Sequence, residues 1–527
     1  MKVSMVDSLD WVYPDSKIPK KRCAKFQVDV ARGGTASVTL LINNAIPGEP
    51  ISLEVDSESG QKIDAKFYNL IDVPVERNTG PLRFTEKEGE LNEFVTRRAP
   101  FRVYDAMQPV ASSFEATSET HAVLVQIPVS TRAKPGLREY YITVGQAQRM
   151  TMLVLTVQIY SVTLPPIGRN SWHFTNWYSF TSMATRHGLK PWGEAHWRMI
   201  AKYAELMARN RQNTFWFSMG DVFKLTDKGL KLNRSRLRRI VKTFTDVGMY
   251  YIEGPLLGGR TTGEWACPTF SINITKNLAT SPEGNADIAT VGRQLMAEIR
   301  KHNWQDRWIQ HVTDEPIKQN ATDYRMFVGM VRKYMPGITI MDALLDTSLV
   351  GSVDIWCPQA SDFQRNHEKF KAVRELGDKV WYYTCCTPGG PWLNRLLDME
   401  LLRPVLIGWG AELFELDGYL HWGLNHYTAN QDPFNMSVIE NWGGGQNALP
   451  PGDTHVVYPG ADGPWSSMRF EAHREGAEDL ELLRMLKKRS PGQASKLVKS
   501  VITGLDKYTT NLRVFRSARR KLLKALS

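Results

Sequence analysis

From Asn170 onward the sequence repeats one unit, an apolar strand, a loop and an amphipathic helix, and this rhythm limits the fold more than any other feature. The candidate strands are SWHFTNW, NTFWFSM, MYYIEGPLL, WIQHVTD, ITIMDALL, VDIWCPQ, KVWYYTCC and GYLHWGLN. Helical stretches such as EAHWRMIAKYAELMARN, RSRLRRIVKTFTDVGM, ATVGRQLMAEIRKH and ATDYRMFVGMVRKYM lie between several of them. Eight strands over about 255 residues predict a (β/α)8 TIM-like barrel, whose active sites sit on loops at the C-terminal strand ends. A doubly wound sheet is the structural alternative. Its nucleotide-binding versions are disfavoured, because no GxGxxG or GxxxxGK[ST] follows a strand.

Residues 20–162 read differently, as short segments with period-2 alternation or β-branched enrichment (AKFQVDVA, ASVTLLIN, ISLEVDS, HAVLVQIPV, REYYITVG, MTMLVLTVQIYSV) separated by Gly/Pro/Asn/Ser clusters. That pattern predicts an antiparallel β-sandwich. The linker TLPPIGRN then carries Pro165 and Pro166, which sustain neither a helix nor a central strand. The expected organisation is a sandwich over 1–164, a catalytic barrel over 165–450 and a C-terminal helical segment over 451–527. Apolar residues at 42% and charged residues at 23% exclude a disordered chain, a collagen or a rod.

The longest apolar stretch, Met150 to Val162, is interrupted by polar residues and is too short to span a membrane. Asp7, Asp10 and Asp15 stand where a secretory signal needs an apolar segment, so the chain as given is expected to be cytoplasmic, or secreted or periplasmic if a signal was trimmed. Cys23, Cys267, Cys357, Cys385 and Cys386 are odd in number and lack metal-ligand spacing; all five are read as thiols. From Met485 to Ser527, twelve Lys or Arg stand against Asp506 alone, which accounts for the whole net charge of +11. The basic character therefore belongs to a C-terminal helical appendage with Leu505, Tyr508, Leu512, Phe515 and Leu522 as its apolar face. Its charges are expected to form a solvated face, and no nucleic-acid partner is expected.

The polar residues at the strand ends carry the chemistry. Strand four ends in His311-Val312-Thr313-Asp314-Glu315-Pro316, where Pro316 biases Glu315 toward extended backbone and both acids can face the barrel mouth. Adjacent carboxylates suit glycoside chemistry, in which a protonated group donates to the leaving oxygen and a second group stabilises or forms the intermediate. Strand seven ends in Tyr382-Tyr383-Thr384-Cys385-Cys386 with no acid to serve as a nucleophile, which favours a route assisted by the substrate's 2-acetamido group. Glu253, Asp342 and Asp354 are the candidates for an ordinary second carboxylate. Trp177, Trp216, Trp265, Trp356, Trp381, Tyr382, Tyr383, Trp392, Trp422 and Trp442 offer flat faces for sugar rings. A metal-dependent hydrolase is disfavoured, because HExxH and CxxC are absent. A non-catalytic carbohydrate-binding protein and a glycosidase acting on another glycan are the competing readings.

The run from Trp304 to Pro316 ending in DEP, the strand-eight segment Asp417 to Asn425, Asp432-Pro433 and above all the R-x-E-x-x-R-E-G-x-x-D-x-E pattern from Arg469 to Glu481 resemble the catalytic domain of glycoside hydrolase family 123. The resemblance covers about 165–490. It implies an exo-acting β-N-acetylgalactosaminidase that passes through an oxazoline intermediate and uses no cofactor or metal. It also implies that Asp314 orients the 2-acetamido group while Glu315 is the general acid/base. Tyr383, with Tyr382 as understudy, is placed beside the acetamido group by position; Trp177, Trp356, Trp392, Trp422, Asn425 and His311 complete the expected glycan-binding set. The RxExxREGxxDxE helix is assigned to ion pairs that close the barrel's end.

Overall fold

The computed structural model describes residues 1–344, 347–440 and 447–527. Its first 163 residues form two five-stranded sheets. One runs, in spatial order, Lys2–Val6, Thr35–Asn43, Thr120–Pro128, Lys66–Val75 and Phe101–Val110, all antiparallel. The other runs Lys25–Arg32, Arg149–Thr163, Gly136–Gln146, Pro50–Ser57 and Ser113–Glu115, with Lys25–Arg32 parallel to its neighbour and the rest antiparallel. Alternation builds the core between the sheets: Val38, Leu40 and Ile42 meet Val123, Val125, Leu155 and Val157 there. The opposite face of the first sheet is also apolar. Leu41, Ala122, Leu124, Val103 and Met107 belong to the large core shared with the second half of the chain.

That half contains eight parallel strands, labelled β1 (His173–Asn176), β2 (Thr214–Trp216), β3 (Tyr251–Gly254), β4 (Trp308–Gln310), β5 (Thr339–Ala343), β6 (Ile355–Cys357), β7 (Lys379–Tyr383) and β8 (Gly418–His421). Each lies within one of the eight segments read from the sequence. The hydrogen-bonded order runs β1-β8-β7-β6-β5-β4-β3-β2, and the Asn213 N–H donates to the Phe174 carbonyl at 3.1 Å across the remaining gap, so the sheet is barrel-like and nearly closed. Around it lie helices α1 (Glu194–Arg209), α2 (Arg234–Asp246), α3 (Pro282–Lys301), α4 (Ala321–Tyr334), α5 (His367–Glu375), α6 (Leu402–Leu413) and α7 (Met468–Arg489). No described helix is long and apolar enough to cross a membrane.

Helix α7, which carries the RxExxREGxxDxE pattern, follows β8 and packs on α6 at close range. A Cβ at Gly476 would lie 2.3 Å from the Val405 carbonyl oxygen, and one at Gly408 would lie 2.1 Å from that of Gly476, so the two backbones touch where only glycine fits. The charged residues of α7 are paired in three sets, one within the helix and two to other elements. Arg469 pairs with Asp105 of the sandwich at 2.9 Å while donating to the carbonyls of Gly452 and His455. Arg474 bridges Glu471 and Glu478. Glu475 and Asp479 receive Arg516 and Arg519 from the last helix, α8 (Leu512–Leu526).

The basic C-terminus is therefore only in part a solvated face. Arg516 pairs with Asp7 at 2.6 Å and Arg520 with Asp29 at 2.8 Å, which straps α8 to the sandwich. Nor does one helix hold the whole apolar set: Leu505 lies in a turn and Tyr508 in a short strand before α8 begins. All five cysteines are free thiols, with the Cys385 and Cys386 sulfurs 3.8 Å apart. Arg469→Met leaves Asp105 buried without its charge partner and is expected to cost about 3–5 kcal/mol, read from urea denaturation. A loss below about 1 kcal/mol would contradict the role given to this pair.

Candidate active site

Strand alternation decides which side chains reach the barrel interior. In β7, Trp381 and Tyr383 join an inner cluster with Trp177, Trp216, Ile309, Cys357 and Leu420. Tyr382, between them, points outward; its hydroxyl donates to the Ile407 carbonyl of α6 at 2.7 Å. Trp356 of β6 likewise faces the helices, with its indole N–H on Asp378 at 2.8 Å. Neither reaches the mouth. Trp392 sits on the outer flank with the Arg365 guanidinium 5.6 Å from its ring centre. Asn425 is taken up by the backbone of Ser179, accepting from its N–H at 2.8 Å. Trp177 stacks on Trp216 at 5.3 Å inside the barrel, and Trp422 donates to Asp453 at 3.2 Å at the end of β8. Trp442 lies outside the described residues.

Beneath the mouth, His311 is held by two carboxylates. Its Nε2 is 2.6 Å from Glu253 Oε1 on β3 and its Nδ1 is 2.9 Å from Asp342 Oδ1 on β5. Burial by itself would depress the imidazole, but hydrogen bonds and charge from Asp342 and Glu253 outweigh it and push the pKa up to about 10. His311 is therefore an imidazolium that donates from both nitrogens. Each carboxylate is further saturated: Glu253 accepts from the Thr175 hydroxyl and the Trp177 indole at 2.7 Å, and Asp342 from the Tyr324 hydroxyl at 2.6 Å and from the Val312 and Thr313 N–H groups. Asp354 precedes β6, at the opposite end of the strand, where it holds Arg332.

Asp314 and Glu315 follow immediately. Glu315 has a left-handed φ of 45° and not the extended backbone expected before Pro316, a conformation costing a non-glycine residue about 1–3 kcal/mol that the surroundings must supply. Arg260 supplies part of it: its guanidinium donates to the Asp314 carbonyl at 3.1 Å and the Glu315 carbonyl at 2.8 Å. The Tyr383 hydroxyl donates to Glu315 Oε1. Burial and then the charge of Asp314 raise the Glu315 carboxyl to about 7, against the Tyr383 hydrogen bond and Arg260, which lower it. Burial also raises Asp314, while His311 opposes it. Both carboxyls are raised, and their titration is a property of the pair.

Arg260 was not among the sequence candidates. It lies on a β-hairpin, Gly258–Arg260 paired with Phe270–Ile272, inserted between β3 and α3. The only local signal is Gly258-Gly259: a Cβ at Gly258 would meet the Phe327 ring of α4 at 2.5 Å, so glycine lets the hairpin seat on that helix.

Residues 269–486 match the family model for the glycoside hydrolase 123 catalytic domain, and the Asp314–Glu315 pair lies within the match. The part of the chain that holds the acid pair is thus similar to a glycoside hydrolase catalytic domain. The fold is shared along the whole chain with a family 123 glycoside hydrolase from Clostridium perfringens, solved to study glycolipid glycan hydrolysis, which superposes with a TM-score of 0.74 at 13% identity, covering 100% of this chain and 97% of that one. A β-D-glucuronidase from Dictyoglomus thermophilum aligns at a TM-score of 0.36 and 9% identity over 90% of this chain and 68% of its own, too loosely to bear on the site. No curated protein matches the chain.

A carboxyl raised in the folded state binds its proton more tightly there than in the unfolded chain. Glu315 thus contributes stability that is fully present below about pH 4.5 and is lost as pH rises through about 7. Glu315→Gln lacks this titration, so its denaturation free energy should gain on that of the wild type between pH 5 and about 8. Parallel curves across that range would contradict the raised carboxyl.

Proposed function

We propose that the protein is an exo-acting β-N-acetylgalactosaminidase that retains anomeric configuration through an oxazoline formed by the substrate's own 2-acetamido group, with a glycan bearing a terminal amino sugar as its partner. The observation that carries this reading is the allocation of carboxylates. Glu253 and Asp342 are both consumed by His311 and Asp453 beyond β8 is held by the Trp422 indole, which leaves the adjacent Asp314 and Glu315 as the acids at the end of β4. Two acids adjacent in sequence cannot stand on opposite sides of an anomeric carbon as an acid and a nucleophile from different strands do.

Protonated Glu315 gives its proton to the glycosidic oxygen as the C1–O bond breaks. The acetamido carbonyl oxygen attacks C1 and closes the five-membered ring, while the Asp314 carboxylate accepts the N–H and steadies the positive charge that develops there. The departing sugar leaves as an alcohol. Glu315, now a carboxylate, takes a proton from water as that water adds to C1 and reopens the ring, which restores the starting protonation state. Tyr383 supports the cycle from its bond to Glu315: a donor to the carboxylate keeps the raised acid from becoming too weak to give up its proton.

The test is hydrolysis of aryl β-GalNAc, β-GlcNAc and β-galactose with the Glu315→Gln variant alongside. β-GalNAc alone should be cleaved. Glu315→Gln should lose about 10²–10⁴-fold on substrates with poor leaving groups and much less on activated aryl glycosides. Equal loss on both would remove Glu315 from the acid role, and cleavage only of sugars lacking the acetamido group would discard the oxazoline. Asp314→Asn should depress turnover heavily on every β-GalNAc substrate, and a wild-type rate would remove Asp314 from the mechanism.

A further inference from the structure

We propose that the hairpin of residues 258–272 forms the leaving-group subsite, with the Trp265 indole as the platform on which the departing hexose packs; this rests on the proposed function. Among the described residues Trp265 is the one exposed tryptophan, with 51% of its surface open, and it stands in a tip, 261–266, that is exposed throughout. Its exposure alone would be ordinary; what singles it out is that it is held on a fixed support beside the acid pair, where its flat face is open to a sugar ring.

The support is rigid. The Phe270 N–H donates to Asp323 at 2.7 Å and Asn320 donates to the Cys267 carbonyl at 3.1 Å, which bolts the hairpin to the segment just after Pro316. The Thr261 and Thr269 hydroxyls close the base of the tip at 2.8 Å.

Arg260 ties the indole to the acid. Its guanidinium lies 4.3 Å from the Trp265 ring centre, its Nε donates to the Trp265 carbonyl at 2.8 Å, and its two terminal nitrogens hold the carbonyls of Asp314 and Glu315. One guanidinium thus separates the exposed ring from the residue that protonates the leaving oxygen. The sugar accepting that proton must lie on the Glu315 side, where the solvent-facing indole offers a flat apolar surface to the C–H face of a pyranose. The interior aromatics Trp177 and Trp216 are too enclosed to serve a sugar that remains attached to a longer glycan.

The experiment compares a β-GalNAc-(1→3)-galactoside with β-GalNAc fluoride, whose leaving group has no ring, in wild type, Trp265→Ala and Trp265→Phe. The ratio of kcat/KM for the disaccharide over the fluoride should fall about tenfold in Trp265→Ala and stay near wild type in Trp265→Phe. An unchanged ratio in Trp265→Ala overturns the subsite. If wild type cleaves neither compound, the functional reading fails and the subsite is judged by saturation-transfer NMR with methyl β-galactoside. Transfer in wild type and Trp265→Phe but not in Trp265→Ala supports it, and no transfer in wild type overturns it.

Discussion

The bridge from Glu253 through His311 to Asp342 fixes what the rest of the barrel mouth can do. Three strands, β3, β4 and β5, meet at one buried imidazolium, and both flanking carboxylates are consumed in holding it. A buried cation with two anions is stable only when the remaining lone pairs are satisfied, and hydroxyls, an indole and backbone N–H groups satisfy them. The consequence lies one step above. Burial raises both acids; at Asp314 the nearby His311 charge opposes that rise, while at Glu315 the neighbouring Asp314 charge adds to it and carries the carboxyl to about 7. Two neighbouring acids acquire different tasks because their surroundings differ.

Holding that turn requires elements far apart in sequence. Arg260 from the hairpin and Tyr383 from β7 grip Glu315 from its backbone and its side chain. The barrel strands that deliver these groups are braced from behind by α7, whose Arg469, Glu475 and Asp479 couple the barrel to the sandwich and to α8. The first sheet of the sandwich is buried on both faces and so serves as a wall of the main core. The basic tail, unexplained as a surface feature, has a structural use where Arg516, Arg519 and Arg520 meet acids of α7 and the sandwich.

Much of this was legible in the sequence because the barrel strands are short, apolar and set off by helices of clear period. The sandwich strands Lys2–Val6, Lys66–Val75, Phe101–Val110 and Ser113–Glu115 are absent from the sequence reading; Pro74 and Pro109 interrupt the second and third, and the fourth is only three residues long. The acid pair was visible as DEP at the end of a strand. Side-chain direction was less so: Tyr382 and Tyr383 are consecutive in one strand and face opposite sides, so only one could line the mouth. Arg260 left no signal beyond the Gly258-Gly259 pair ahead of it, since its bonds go to backbone carbonyls that any sequence presents. Asn425 and Trp356 look like site residues by position and are spent on local hydrogen bonds.

The central claim is that the substrate's acetamido oxygen, oriented by Asp314, is the nucleophile. It is tested most directly by measuring kcat/KM for aryl β-GalNAc glycosides whose acetyl group carries none, one, two or three fluorines. Each fluorine weakens the carbonyl oxygen as a nucleophile, so the account predicts a steep and continuous fall along the series. A flat series in an enzyme that cleaves the parent compound would show that the bond to C1 is made by another group, and would contradict it.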